Sequence, residues 1–122
     1  MTATSLMEKN GKKFYYKYCK DPKHYDDYFL YFQMEYDSME RLKQLMDDTG
    51  KSSLYTQLFP LYYTYSCTTS KQPFICMEYI TGCSLEEKLS AQYINKNEPF
   101  PILNTQQILH LYEQLSTALY WL

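Results

Sequence analysis

Two residues of opposite charge, Lys17 and Glu35, stand in otherwise apolar surroundings. Lys17 is in the middle of the aromatic, β-prone run 13–19, and Glu35 lies on a helical face between Phe32 and Met39. A carboxylate on such a face costs roughly several kcal/mol to desolvate unless it has a cationic partner. The pattern predicts that Lys17 is this partner and that the pair can hold an anionic ligand against a sheet. The alternative, which periodicity alone does not exclude, is that Glu35 lies at the edge of the stripe and contacts water.

The segment 74–85, FICMEYITGCSL, joins a nearly continuous apolar strand to a break at Thr81 and Gly82. Backbone N–H and C=O groups become available where a strand ends, and they can hydrogen-bond the edge of a flat heterocycle. Taken alone, the segment is more typical of a plain connection between a strand and a helix.

The elements that must position these residues follow from turn signals and hydrophobic periodicity. Asn10-Gly11 between two β-prone runs predicts a hairpin, and a helical stripe that ends before Gly50 predicts a long helix. The predicted order is β β α β β α α, which indicates an α+β fold: an antiparallel sheet with one packed helix, followed by two helices. The expected strands are 4–8, 12–20, 59–67 and 74–80, and the expected helices are 24–46, 84–93 and the stripe 108–122.

Composition limits the classes of function. The 122 residues carry a net charge of −2, which argues against nucleic acid as a partner. Lysines interleaved with aromatic residues, as in segment 9–23, can bind single-stranded nucleic acid. A strand with two different faces explains this segment more simply. No apolar run is long enough to span a membrane, no signal peptide is evident, and four cysteines without CxxC spacing suggest reduced thiols, so we expect a cytoplasmic protein. A zinc site of Cys76, Cys83 and His110 lacks a fourth ligand, and we predict no metal site.

The strand lysine, the helix glutamate, the hairpin and the segment 75–85 occur in an order that resembles the N-terminal lobe of the protein-kinase-like superfamily. Segment 75–85 is similar to that family's hinge, and Leu115–Leu122 is similar to the helix before its catalytic loop. The resemblance implies a kinase-like N-lobe at 1–80, without its first strand and glycine-rich loop. It also implies that 81–122 is the hinge and the first helices of an incomplete C-lobe.

The resemblance also implies a binding site for ATP. Lys17 corresponds to the lysine that contacts the α- and β-phosphates, and Glu35 to the glutamate that orients it. Met77 takes the gatekeeper position, while the backbone carbonyl of Glu78 and the backbone N–H of Ile80 are expected at the adenine edge. Mg²⁺ belongs to the expected full-length parent, because its ligands are not in this chain.

Several family motifs are absent. The sequence contains no G-x-G-x-x-G, no H-R-D-x-x-x-x-N and no D-F-G, so the chain has no catalytic residue of the family, and Tyr15 replaces a small alanine. The expected function is therefore that of an ATP-binding-lobe fragment, inactive alone. Its parent would transfer the γ-phosphoryl group to a protein Ser/Thr or a small-molecule hydroxyl. The alternative is a non-catalytic kinase-like pseudo-domain that acts as a protein-binding scaffold. Because the last helical stripe would lack its partners in a fragment, we also expect a homo-oligomer formed through this helix.

Overall fold

The computed structural model describes residues 2–66, 71–88 and 103–122. The chain divides into two compact units, Met1–Ile80 and Thr81–Leu122, and each is described by itself.

The first unit is built on an antiparallel sheet. In chain order its described strands are β1 (Thr2–Lys9), β2 (Lys12–Cys19), β3 (Tyr62–Tyr65) and β4 (Phe74–Glu78), and they lie side by side as β1-β2-β4-β3. Asn10 and Gly11 have φ angles of 54° and 78°, the left-handed values that a tight hairpin turn of this type requires. The predicted hairpin and the α+β class are confirmed.

One long helix, α1 (Tyr25–Asp48), packs against β3 and β4. Its buried side chains are Phe29, Phe32, Leu42 and Met46, which form much of the core together with Ile75 and Cys19. At its end Gly50 adopts a φ of +76°, and the N–H groups of Gly50 and Lys51 donate to the carbonyls of Asp47 and Met46. This Schellman arrangement satisfies carbonyls of the last turn and ends the helix two residues later than predicted.

A short helix, α2 (Ser52–Leu58), follows and was not predicted from the sequence. Its Tyr55 is completely buried and donates a 2.9 Å hydrogen bond to the carbonyl of Pro60. The predicted strand 59–67 was too long at its start, because Pro60 has no N–H to give to a ladder and β3 begins at Tyr62. Residues 67–70 lie outside the described part of the chain. β4 ends at Glu78 rather than at Ile80.

The second unit contains a helical turn at 85–88 and the helix α3 (Thr105–Trp121). The hydroxyl of Ser84 accepts from the N–H of Glu87, and Asn104 with Gln107 forms a reciprocal capping box at the start of α3. Residues 89–93 of the predicted second helix lie outside the described residues. Within the described residues, none of the helices combines the length and apolar character that crossing a membrane requires.

Candidate functional site

The middle of β2 carries the first residue of the site. Lys17 is paired in register with Thr4 of β1 and Ile75 of β4, so it is flanked by strands on both sides. Strand alternation places it on the same face as Lys13, Tyr15 and Cys19. Because Cys19 and Ile75 are fully buried, this is the face of the sheet that is covered by the core.

Lys17 and Glu35 meet in the structure. The ammonium Nζ of Lys17 lies 2.9 Å from Oε1 of Glu35, a residue of α1. The predicted ion pair is therefore confirmed. The alternative, that Glu35 contacts water at the edge of the stripe, holds in part, because the paired carboxylate keeps some of its surface accessible. Each side chain retains 29% of its accessible surface, so the pair is half-buried and not fully sequestered.

A third residue, Tyr62 of β3, completes the contact. Its hydroxyl donates a 3.0 Å hydrogen bond to Oε2 of Glu35, so each carboxylate oxygen of Glu35 has its own donor. Burial, followed by the nearby negative charge of Glu35 and the hydrogen bond itself, raises the pKa of Tyr62 well above its usual value. The phenol therefore remains protonated and stays a hydrogen-bond donor at neutral pH.

The ammonium of Lys17 has capacity for a further ligand. An ammonium carries three N–H donors, and the contact with Oε1 of Glu35 uses one of them. The ring of Phe32 lies 5.9 Å from Nζ, close enough for a cation–π attraction that holds the ammonium over the helix. Since the group also keeps part of its surface exposed, it can bind an anion without leaving Glu35.

A cavity of about 220 Å³ lies at the end of β4 on the same unit. Met77 is paired in register with both Tyr15 of β2 and Tyr62 of β3, which places it on the face that carries Lys17. The cavity is bounded mainly by apolar and aromatic side chains, which suit a largely apolar group. Its lining residues are Tyr15, Pro60, Met77, Glu78, Tyr79 and Ile80.

The three predicted hinge residues thus share one cavity, and their local settings differ. The backbone N–H of Glu78 donates to the carbonyl of Leu61 at 2.7 Å, and its carboxylate accepts from the N–H of Leu61 at 3.1 Å. This pair of bonds fixes the end of β4 against the start of β3. Ile80, by contrast, lies beyond the strand and keeps 64% of its surface exposed.

A second ammonium lies near this cavity. Lys13 is on the same face of β2 as Tyr15, and its Nζ is 5.8 Å from the ring of Tyr79. Tyr15 is therefore flanked along the strand by a lysine on each side, each about 7 Å away at the Cα atoms. Such a row suits a ligand that has an aromatic part and one or more negative charges.

No pattern in the sequence pointed to Tyr62 as a site residue. It is one of 15 tyrosines, and its place opposite Met77 depends on a bulge in the ladder between Tyr62 and Thr64. Register across such an irregularity cannot be read from alternation. The partner of the second carboxylate oxygen was therefore visible only in three dimensions.

Comparison of the chain with known proteins found no matching family model, no matching curated protein and no matching solved structure.

Proposed function

We propose that this chain is the ATP-binding lobe of a protein-kinase-like phosphotransferase. The observation that supports the proposal most directly is the 2.9 Å pair between Lys17 on a central strand and Glu35 on the packed helix. In kinases a strand lysine held by a helix glutamate is the part of the site that must be in place for the phosphates to be positioned.

In this proposal Lys17 contacts the α- and β-phosphates, and Glu35 keeps the ammonium pointed at them. The base occupies the cavity beside Met77, with the Glu78 carbonyl and the Ile80 N–H at its edge. Two features support this assignment. The cavity has an apolar lining, and it shares Tyr15 with the strand face that carries Lys17.

Phosphoryl transfer itself needs groups that the chain does not carry. The catalytic aspartate and the Mg²⁺ ligands of kinases belong to motifs that are absent from the sequence. The proposed activity of this chain alone is therefore nucleotide binding. Transfer to a protein Ser/Thr or a small-molecule hydroxyl is assigned to a longer parent. The proposal places the protein in the cytoplasm, where the free thiols of Cys19, Cys76 and Cys83 stay reduced.

The second candidate is a non-catalytic kinase-like scaffold, and the surface of α3 favours it. A row of apolar side chains on this helix and on the residue that follows it recurs at alternating steps of four and three residues, the spacing of a seam between paired helices. Each of them keeps more than half of its surface exposed: Ile108, Tyr112, Leu115, Leu119 and Leu122. The proposal includes self-association through this row.

Titration calorimetry of the full chain with ATP tests the first candidate. We expect measurable binding that Lys17→Met weakens about tenfold or more, because a charge-assisted contact to phosphate is lost. Lys12→Met is the matched control: it removes the same charge from the same strand, but on the opposite face beside Phe14 and Tyr63. Equal binding by wild type and Lys17→Met, or no binding at millimolar ATP, would contradict the assignment. Self-association without ATP binding would favour the scaffold.

A further inference from the structure

We infer that Tyr62 is a positioning residue that holds Glu35 beside Lys17, so that the lysine is already oriented before a nucleotide arrives. The inference rests on the proposed function for its meaning, since it concerns how the same site is regulated. A fixed hydrogen bond then assembles the site, and no separate signal has to move α1.

The attachment of Glu35 at two points is the first argument. Oε1 contacts the ammonium from β2, and Oε2 accepts from the hydroxyl from β3. An ammonium is a compact charge that attracts a carboxylate from many directions, whereas a phenol O–H donates along one direction. The bond from Tyr62 therefore fixes the rotation of the carboxylate, which the ion pair alone leaves loose.

The arrival of a phosphate gives the second argument. A phosphate bound to Lys17 competes with Glu35 for the ammonium and repels the carboxylate, since both carry negative charge. A carboxylate held only by Lys17 would be free to turn away. The hydroxyl of Tyr62 donates to Oε2, not to the oxygen that contacts Lys17. It therefore retains Glu35 while the ammonium contacts both Glu35 and the phosphate. Its raised pKa keeps it a donor throughout the neutral range.

The position of Tyr62 in the sheet is the third argument. Its register partner is Met77, which lines the cavity proposed for the base. Tyr62 does not line that cavity itself, but it lies on the strand next to Met77 and donates to the carboxylate of the phosphate-binding pair. Tyr62 therefore connects β3 to Glu35 at the strand position beside the proposed base cavity.

Tyr62→Phe tests the inference, because it keeps the ring and removes only the hydroxyl. Tyr16→Phe is the matched control: its hydroxyl also makes a hydrogen bond, to the thiol of Cys76, and lies on the face of the sheet opposite to Lys17. Two quantities are measured on the full chain, the affinity for ATP and the ¹⁵N resonance of the Lys17 ammonium, assigned by its loss in Lys17→Met. We expect Tyr62→Phe to weaken ATP binding about fivefold and to move the ammonium resonance. We expect Tyr16→Phe to change neither.

The two readouts separate this inference from the proposed function. If the wild-type chain binds no ATP, the proposed function fails, and a shifted ammonium resonance in Tyr62→Phe still supports the positioning role. If ATP binds and Tyr62→Phe leaves both affinity and resonance as in the wild type, the positioning role is overturned. Equal changes in Tyr62→Phe and Tyr16→Phe would also overturn it, since they would reflect a general loss of packing.

Discussion

The strength of the Lys17–Glu35 pair can be worked out from its geometry. At 2.9 Å the Coulomb attraction is about 6 kcal/mol for an effective dielectric constant of 20 and about 1.4 kcal/mol in bulk water. Desolvation offsets much of this gain, and exposed pairs measure only about 0.2–1 kcal/mol. Because each side chain keeps 29% of its surface, we expect a coupling energy of about 1–2 kcal/mol between the two.

A double-mutant cycle measures this quantity. Lys17→Met and Glu35→Gln are made singly and together, and the free energy of unfolding is obtained from urea titrations followed by circular dichroism. Lys17→Met is expected to be the more damaging single change. It should lower the free energy of unfolding by roughly 2 kcal/mol, because it leaves a half-buried carboxylate with Tyr62 as its remaining donor. Glu35→Gln is expected to cost about 1 kcal/mol, since the long lysine side chain can extend its ammonium toward water.

The reasoning would be refuted by a coupling energy below about 0.3 kcal/mol, the value of a solvent-screened surface pair. A salt titration provides an independent check. Raising the ionic strength should lower the coupling energy only in part, because partly buried charges are screened less than exposed ones. Complete loss of coupling in molar salt would mean that the pair is more open to solvent than its accessible surface implies.

Three other predictions address separate parts of the molecule. Burial raises the pKa of Tyr55 to about 12, so the folded state binds this proton more tightly than the unfolded state. The contribution of this group to the free energy of unfolding should be fully present below pH 10 and should fall by roughly 1–3 kcal/mol as the pH rises to 12. In alkaline unfolding titrations, Tyr55→Phe should remove this part of the pH dependence. Tyr15→Ala should tighten ATP binding several-fold in calorimetry by widening the cavity proposed for the base, whereas weaker binding would mean that the ring stacks on the base. Leu115→Glu with Leu119→Glu should convert a self-associated chain to monomers in light scattering, and a wild type that is monomeric at micromolar concentration would contradict the proposed pairing of α3.

The ion pair was predictable because two simple periodicities converge on it. Helical spacing placed Glu35 on the face that buries Phe32 and Leu42, and strand alternation placed Lys17 on the face that buries Cys19. A charge on each of two faces that must pack together has few other partners. The degree of burial was not predictable, because it depends on how closely neighbouring side chains cover the pair.

The helix α2 shows where the sequence signal ends. Its seven residues make only about two turns, too few for a recognisable stripe, and Lys51 at its start makes no capping hydrogen bond through its side chain. The helix is held by tertiary contacts, above all by the buried ring of Tyr55. The helical propensity of these residues was therefore too weak to predict α2, and the adjoining strand was predicted to begin too early.

The order of residues along β2 sets the direction in which an elongated ligand would lie. Tyr15 pairs with Met77 at the cavity, and Lys17 pairs with Ile75, two residues farther from the C-terminal end of β4. A ligand with its flat group in the cavity and its charge on Lys17 must therefore run along β2 toward Cys19. The reverse orientation would bring the charge to Lys13 and the ring of Tyr79. Glu8 of β1 is the register partner of Lys13, but among the described residues the structure records no ion pair between them like that of Lys17 with Glu35. Since Glu35 and Tyr62 orient Lys17 alone, the anionic end of the ligand is expected at Lys17, and Lys13→Met should weaken ATP binding less than Lys17→Met.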